Sequence, residues 1–441
     1  MRNRYVDLLR VVSLGVVIAG HWLMVIVEPT ATGVRATNTL AVLPGLQPVT
    51  WLLQVMPVFF LVGGFSHATA IASVRRRGGG YADFVRSRAG RLLRPTAVFV
   101  GLWLAVALAV EAAGHDQGLL RLAMRTVAQP LWFLGVYLGI VALAPPLHRL
   151  HRALGRRAWL VPAGLGAAAA LVDVLRFAFE VPMVAYLNVA FVWLAVHQLG
   201  YLYADARLGR RAAGLLAGLG LAATVALTTA GPYPVSMVGL PGAPVSNMSP
   251  PTLALLTHAA WLVGLALLLR APAARWLERP RVWAAVIRAN GAAMTAFLWH
   301  LTVLFAVLGG LLALGVAGPP VGSAAWWGLR PLWIAALALL TLAVVSVLRW
   351  ADRPRRASIG GPGRPGTVAA IGGAVLCTLG VLGLSAVGFG GILAGRTAML
   401  VVVPVTPASA ATAVAVGGLL LWLSRGPGVR YGQEGRIVPQ F

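Results

Sequence analysis

The first apolar segment of the chain carries three polar side chains whose types could do chemistry inside a membrane. Asp7, Arg10 and His21 interrupt an otherwise apolar stretch. Ionisable groups at membrane depth are costly, so by default they mark functional sites. At about 100° per residue, the steps from Arg10 to His21 place both side chains on one helical face, ~16 Å apart along the axis. A histidine can act as a general base, and an arginine can hold an anion or stabilise developing negative charge. The same residues also fit a surface anchor and a helix–helix hydrogen bond.

A second group of candidates lies in the segment SVRRRGGGYADFVRSRAGRLLRP, residues 73–95. Arg88, Arg91 and Arg94 recur every three residues, close to one helical face, just before the third apolar segment. Arginine forks suit phosphate oxygens, so this loop could be the docking face of a polyanionic ligand. Arginines beside a span also set its orientation and contact lipid head groups, and the residues alone leave both interpretations open.

Four further histidines fall within apolar segments: His67, His197, His258 and His300. Any of them could line a polar cavity with His21, although a membrane histidine is more often a hydrogen-bond partner between helices. The histidines in these segments show no i, i+4 pairs and acidic partners are scarce, which argues against a metal site.

The composition identifies the elements that must position these residues. Hydrophobic residues make up 59% of the 441 residues, charged residues 11%, and the mean hydropathy is +0.83. Soluble domains carry about 25% charged residues, so we predict an all-α polytopic integral membrane protein. Segments that approach the length of about 20 residues needed to cross a bilayer are expected near 6–27, 51–72, 95–113, 130–147, 158–175, 184–203, 212–230, 252–270, 292–314, 331–349, 367–387 and 398–423.

The distribution of basic residues predicts the orientation in the membrane. All 36 are arginines, and with the N-terminus inside, 30 of them fall in inner segments. Arginine accumulates in cytoplasmic loops, so both termini are predicted to be cytoplasmic, and the net charge of +25 reflects topology rather than nucleic-acid binding. The Pro- and Gly-rich outer segment 231–251 is expected to form an ordered lid or re-entrant turn. Asp173 and Arg176 are spaced as an i, i+3 ion pair.

Several short motifs follow one another in the order of a known family. After the Arg-x10-His pattern of Arg10 and His21 come MPVFFLVGGF, FVRSRAGRLLRP, LWFLGVYL and FLWHLTVL, which begin at residues 56, 84, 131 and 297. Together they resemble the membrane-bound acyltransferase family 3, which includes O-acetyltransferases of surface polysaccharides and lipopolysaccharide, Nod-factor modifiers and macrolide acylases. The chain departs from the family pattern at Gly63, where a serine is common, and at Leu8 and Val11, which replace typical glycines.

The resemblance implies an activity and a set of site residues. It implies an O-acyltransferase that moves an acyl group, expected to be acetyl, from cytoplasmic acyl-CoA to a hydroxyl of a glycan, glycolipid or secreted natural product. Arg10 and His21 would be the catalytic pair, and Arg88 and Arg91 would bind the acyl-CoA co-substrate. No bound cofactor, metal or nucleic-acid partner is implied. The protein would lie in the plasma or inner membrane, with membrane lipids as partners.

The resemblance also divides the chain. It covers about ten helices in residues 1–350, the expected acyltransferase domain, followed by an Arg-, Pro- and Gly-rich cytoplasmic linker at 351–366. Two additional transmembrane helices in 367–423 and a cytoplasmic tail at 424–441 would complete the chain.

Two other function classes remain open from the residues. A transporter or exporter of a small amphipathic compound would also use polar residues within its spans, but it would move its cargo without covalent change and without acyl-CoA. A membrane scaffold would make Arg10 and His21 dispensable.

Overall fold

The computed structural model describes residues 3–30, 33–114, 118–316, 318–348 and 364–424, and these ranges are predominantly α-helical. The α-helices are α1 (Arg4–Met24), α2 (Thr39–Val42), α3 (Thr50–Leu53), α4 (Met56–Arg76), α5 (Tyr81–Ala112), α6 (Gly118–Thr126), α7 (Leu131–Leu154), α8 (Leu160–Phe177), α9 (Asn188–Ala204), α10 (Arg210–Ala230), α11 (Leu253–Leu268), α12 (Arg270–Trp276), α13 (Pro280–Ala313), α14 (Ala324–Leu348), α15 (Arg364–Val387) and α16 (Pro407–Leu423). Two antiparallel hairpins pair β1 (Val25–Thr30) with β2 (Gly33–Asn38) and β3 (Ala398–Leu400) with β4 (Val403–Val405). Short 3-10 helices are formed by Pro44–Val49, Gly155–Arg157 and Val184–Leu187.

The long apolar helices confirm the prediction of a multi-pass membrane protein. In the part of the chain that the structure describes, ten helical stretches are long and apolar enough to cross a membrane. An eleventh is obtained if α11 and α12, which are bent by 48° at a one-residue break, form one broken span. The α16 helix is apolar but shorter than these spans. The structure therefore shows ten or eleven of the twelve expected spans. The expected linker at 351–366 and the expected tail at 424–441 lie almost wholly outside the described residues.

Two expected segments are only partly helical. The first, 6–27, ends as a helix at Met24, because the β-branched run Val25, Ile26 and Val27 favours extended backbone. The last, 398–423, begins with the β3–β4 hairpin, and helix α16 starts only at Pro407. Proline at the first helical position is pre-organised for a helix start and lacks only an N–H that would have no partner.

The helices form two compact units, of which the first combines Met1–Ser66 with His151–Val347. In this unit α1 and α13 run parallel, since Tyr5 clusters with Val286 near their starts and His21 contacts His300 farther along. The helices α4 and α9 cross so closely that a Cβ on Gly64 would collide with the carbonyl oxygen of His197. Small residues allow this close backbone approach between membrane helices.

The second unit combines His67–Leu150 with Leu348–Phe441. Here α15 packs along α16, and a Cβ on Gly417 would come within 2.7 Å of the sulfur of Cys377. The carboxylate of Glu111, at the end of α5, accepts hydrogen bonds from the backbone N–H groups of Gly391, Ile392 and Leu393. The last two helices are therefore fastened to α5 within this unit.

The segment between α10 and α11 is an ordered part of the first unit. The Asn247 amide donates to the carbonyl of Ser236 at 3.0 Å, and Gln54 donates to the carbonyl of Met237 at 3.1 Å. Asp173 accepts hydrogen bonds from Asn188, from the Tyr233 hydroxyl and from the backbone N–H of Leu253, at 2.9, 3.0 and 2.7 Å. The Asp173 carboxylate thus fastens this segment to α8, a role that the spacing to Arg176 did not reveal.

Candidate active site

Helix α1 holds both expected catalytic residues. Its N-cap Asn3 accepts hydrogen bonds from the backbone N–H groups of Tyr5 and Val6, and the Tyr5 hydroxyl donates to the carbonyl of Ala266. Arg10 lies two turns into the helix and His21 lies in its last turn. Because the helix is continuous between them, their Cα atoms are ~16 Å apart along the axis.

The His21 side chain is paired with a second histidine. His21 Nδ1 lies 2.9 Å from His300 Nε2, and the two rings stack with centroids 5.0 Å apart and planes 22° apart. His300 is fully buried, and its Nδ1 lies 2.6 Å from the carbonyl oxygen of Phe297. The pair joins α1 to α13 in the first unit.

The hydrogen-bond partners assign the tautomers of both neutral rings. A carbonyl oxygen only accepts, so His300 must carry its proton on Nδ1 and a lone pair on Nε2. His300 Nε2 therefore accepts the bond from His21 Nδ1–H, which leaves the lone pair of His21 on Nε2. The arrangement prepares His21 Nε2 to take up a proton.

Two tryptophans hold this pair in place. The Trp22 indole N–H donates to the carbonyl of His300 at 3.1 Å, and the Trp333 indole N–H donates to the carbonyl of Trp22 at 3.0 Å. Trp22 is 4% exposed. Side chains fixed by packing and hydrogen bonds keep a reacting group in a defined geometry, so α1, α13 and α14 together define the position of His21.

Arg10 belongs to a separate polar cluster on the same helix pair. Its guanidinium lies 3.4 Å from the Asp7 carboxylate and donates to the Ser66 hydroxyl at 2.9 Å. Asn290 of α13 donates to the same Asp7 oxygen at 2.9 Å. The guanidinium has five N–H donors, and its side chain is 30% exposed. The contacts with Asp7 and Ser66 thus orient the Arg10 guanidinium, and its other N–H groups can donate to an anion.

The second unit contains Arg88 and Arg91. They were expected in a loop, but α5 already begins at Tyr81 and continues through Pro95, so both lie on the first turns of a membrane-length helix. The start of α5 is fixed because Asp83 accepts from the backbone N–H of Gly80 at 3.0 Å and pairs with Arg86 at 2.9 Å. Arg91 is exposed and Arg88 is half-buried.

Two of the remaining histidines contact other helices, and a third packs within its own helix. His258 donates to the carbonyl of Trp51 in α3 at 2.7 Å, and His67 packs against Tyr137 of α7. His197 packs against Tyr201 of the same helix, α9. Among the described residues no group of three His, Cys, Asp or Glu side chains could hold a metal ion. His300 is the one of the four further histidines that contacts His21, and the sequence reasoning did not distinguish it from the others.

The architecture and the site define a multi-pass membrane protein in which one helix carries an oriented histidine and an oriented arginine. A family model described as an acyltransferase domain matches residues 3–350. The chain belongs to the membrane-bound acyltransferase family 3, which confirms the resemblance seen in its motifs. Membership implies acyltransferase activity. Comparison with curated proteins and with solved structures gave no match.

Proposed function

We propose that the protein is an O-acyltransferase that uses acyl-CoA, with acetyl as the expected acyl group, to modify a hydroxyl of a glycan, glycolipid or secreted natural product. The family supports acyl transfer. The observation that carries the proposal is the His21–His300 hydrogen bond, because it leaves a lone pair on His21 Nε2. A general base of this kind is what a hydroxyl needs to become a nucleophile.

The proposed reaction begins with proton transfer from the acceptor hydroxyl to His21 Nε2. The hydroxyl oxygen attacks the thioester carbonyl carbon, and the tetrahedral intermediate collapses with cleavage of the C–S bond. The thiolate of CoA leaves and takes the proton back from the His21 imidazolium, so free CoA and the ester are the products. His300 accepts from His21 Nδ1–H throughout and so stabilises the imidazolium.

The separation of Arg10 from His21 favours one role for the arginine. At ~16 Å along the axis, Arg10 is too far to stabilise charge on a carbonyl that reacts at His21. A CoA molecule is long and carries anionic and amide groups, so Arg10 could hold it away from the reacting thioester. We therefore assign Arg10 to donor binding rather than to the oxyanion.

Arg88 and Arg91 are proposed to bind the phosphates of the donor. Arginine forks match phosphate oxygens, and Arg91 is exposed at the arginine-rich end of α5. The proposed orientation has both termini and these arginines on the cytoplasmic side, where acyl-CoA is available, in the plasma or inner membrane. The acceptor would then meet His21 from the opposite side.

The test uses purified protein in lipid nanodiscs with acetyl-CoA. Thermal stabilisation measures donor binding, and the appearance of free thiol, with water or added sugars as acceptor, measures transfer. We expect His21→Ala to abolish thiol release and to keep the stabilisation. We expect Arg88→Ala to reduce the stabilisation itself. His258→Ala and Arg76→Ala are the matched controls, because they remove a histidine and an arginine from outside the proposed site.

Two outcomes would contradict the proposal. Full thiol release by His21→Ala would remove the general base. A wild-type protein that neither binds nor cleaves any of a panel of acyl-CoAs, yet moves an amphipathic compound across the nanodisc or a vesicle membrane, would favour a transporter.

A further inference from the structure

A groove of about 490 Å³ lies among α8, α9, α10 and α11 in the first unit. Its walls are apolar, with Trp159 and Leu208 near the arginine-rich ends of α8 and α10 and with Ala163 and Leu199 farther along. Thr257 contributes the one hydroxyl of the wall, and that hydroxyl donates to the carbonyl of Ala254 in its own helix at 3.0 Å. The groove therefore offers mainly apolar packing and suits an apolar chain.

The groove extends through most of one leaflet of a bilayer. Along α10 the lining residues extend from Ala212 to Gly220, which at 1.5 Å per residue is ~12 Å. The hydrocarbon core of a bilayer is about 30 Å thick, so one leaflet is about 15 Å deep. A fatty acyl chain that enters from the arginine-rich side can therefore lie along the groove through most of that depth.

The end of the groove that Trp159 and Leu208 define is bordered by arginines. Arg156 and Arg157 precede Trp159, and Arg210 and Arg211 follow Leu208, and all four are exposed. Arg207 ties the two borders together, because it donates to the carbonyl of Gly155 and pairs with Asp205 at 3.6 Å. The apolar groove thus ends at a cluster of positive charge.

We propose that this groove is a binding site for an anionic glycerophospholipid, with one acyl chain along the groove and the phosphate at the arginine cluster. Lipid tails are as apolar as leucine, so the groove alone distinguishes little between lipids. Each basic residue near the surface attracts anionic lipid, and the arginines therefore set the preference for negative head groups. The site is independent of acyl transfer at His21 and does not rest on the proposed function.

The test is lipid binding to delipidated protein, followed by native mass spectrometry with phosphatidylglycerol and phosphatidylcholine of identical chains. We expect the wild type to prefer phosphatidylglycerol. The double variant Arg210→Gln/Arg211→Gln should lose roughly 30-fold in affinity for phosphatidylglycerol and little for phosphatidylcholine. Ala163→Phe fills the groove and should displace both lipids.

Matched variants outside the groove are the controls. Arg279→Gln/Arg281→Gln removes two exposed arginines elsewhere in the same unit, and Ala343→Phe enlarges an exposed alanine of α14. Equal binding of the two lipids by the wild type would overturn the proposal. So would groove variants that bind like the wild type, or control variants that lose as much binding as the groove variants.

Discussion

Removal of the His300 imidazole is the perturbation that tests the candidate site most directly. His300 Nε2 accepts from His21 Nδ1–H at 2.9 Å. When His21 becomes an imidazolium in the transition state, this bond becomes charge-assisted. A hydrogen bond to a charged group contributes about 1.5–3 kcal/mol. Loss of that stabilisation from the transition state corresponds to a roughly 10- to 150-fold loss in kcat. His300→Ala should therefore slow transfer while leaving the affinity for acetyl-CoA unchanged.

A graded series separates tautomer control from simple packing. His300→Gln keeps an amide oxygen that can accept from His21 Nδ1–H, so its kcat should lie between those of the wild type and His300→Ala. The assay is thiol release from acetyl-CoA as a function of its concentration, which yields kcat and KM separately. His258→Ala removes another buried, hydrogen-bonded histidine of the same unit and should keep the wild-type kcat.

Two results would contradict the role assigned to the His21–His300 hydrogen bond. The first is a wild-type kcat in His300→Ala, and the second is a His300→Gln protein as slow as His300→Ala while both have wild-type thermal stability. In the first case the His21–His300 bond has no part in the reaction. In the second, the imidazole of His300 acts by some property other than accepting a hydrogen bond.

Three other residues give separate expectations. Arg10→Lys keeps the charge but loses the fork that contacts Asp7 and donates to Ser66, so KM for acetyl-CoA should rise roughly tenfold, with kcat little changed, in the same assay. Asp173→Ala leaves three donors without their carboxylate, and the free energy of unfolding in detergent should fall by about 3 kcal/mol or more; an unchanged unfolding midpoint would contradict this. Glu111→Gln replaces one acceptor oxygen with a donor and should lower stability by about 1 kcal/mol, with faster proteolysis at residues 388–397 as the readout.

The helices and the face shared by Arg10 and His21 were predictable because both depend on local sequence. Hydropathy over about 20 residues identifies a span, and helical periodicity relates residues on the same helix. The last apolar segment was harder, because a short apolar run does not distinguish a strand from a helix. The β3–β4 hairpin at residues 398–405 is such a run.

The partners of the site residues were not predictable from spacing. His21 and His300 are 279 residues apart, and Asp7 and Asn290 are 283 apart. Such contacts depend on how α1 packs along α13. The periodicity of either helix alone does not predict that packing. The partners of the Asp173 carboxylate were not predictable for the same reason. Its observed donors come from α9, from α11 and from the segment between α10 and α11.

The parallel packing of α1 and α13 has a consequence for biogenesis. With synthesis at roughly 5–20 residues per second, α1 waits roughly 14–56 s after it emerges before its partner helix exists. During that interval Asn290 is absent, so the Asp7 carboxylate relies on Arg10 of its own helix, 3.4 Å away in the finished protein. An internal ion pair lowers the cost of charge in a newly inserted helix. The Asp7–Arg10 pair can therefore form within α1 before any contact with α13 is possible.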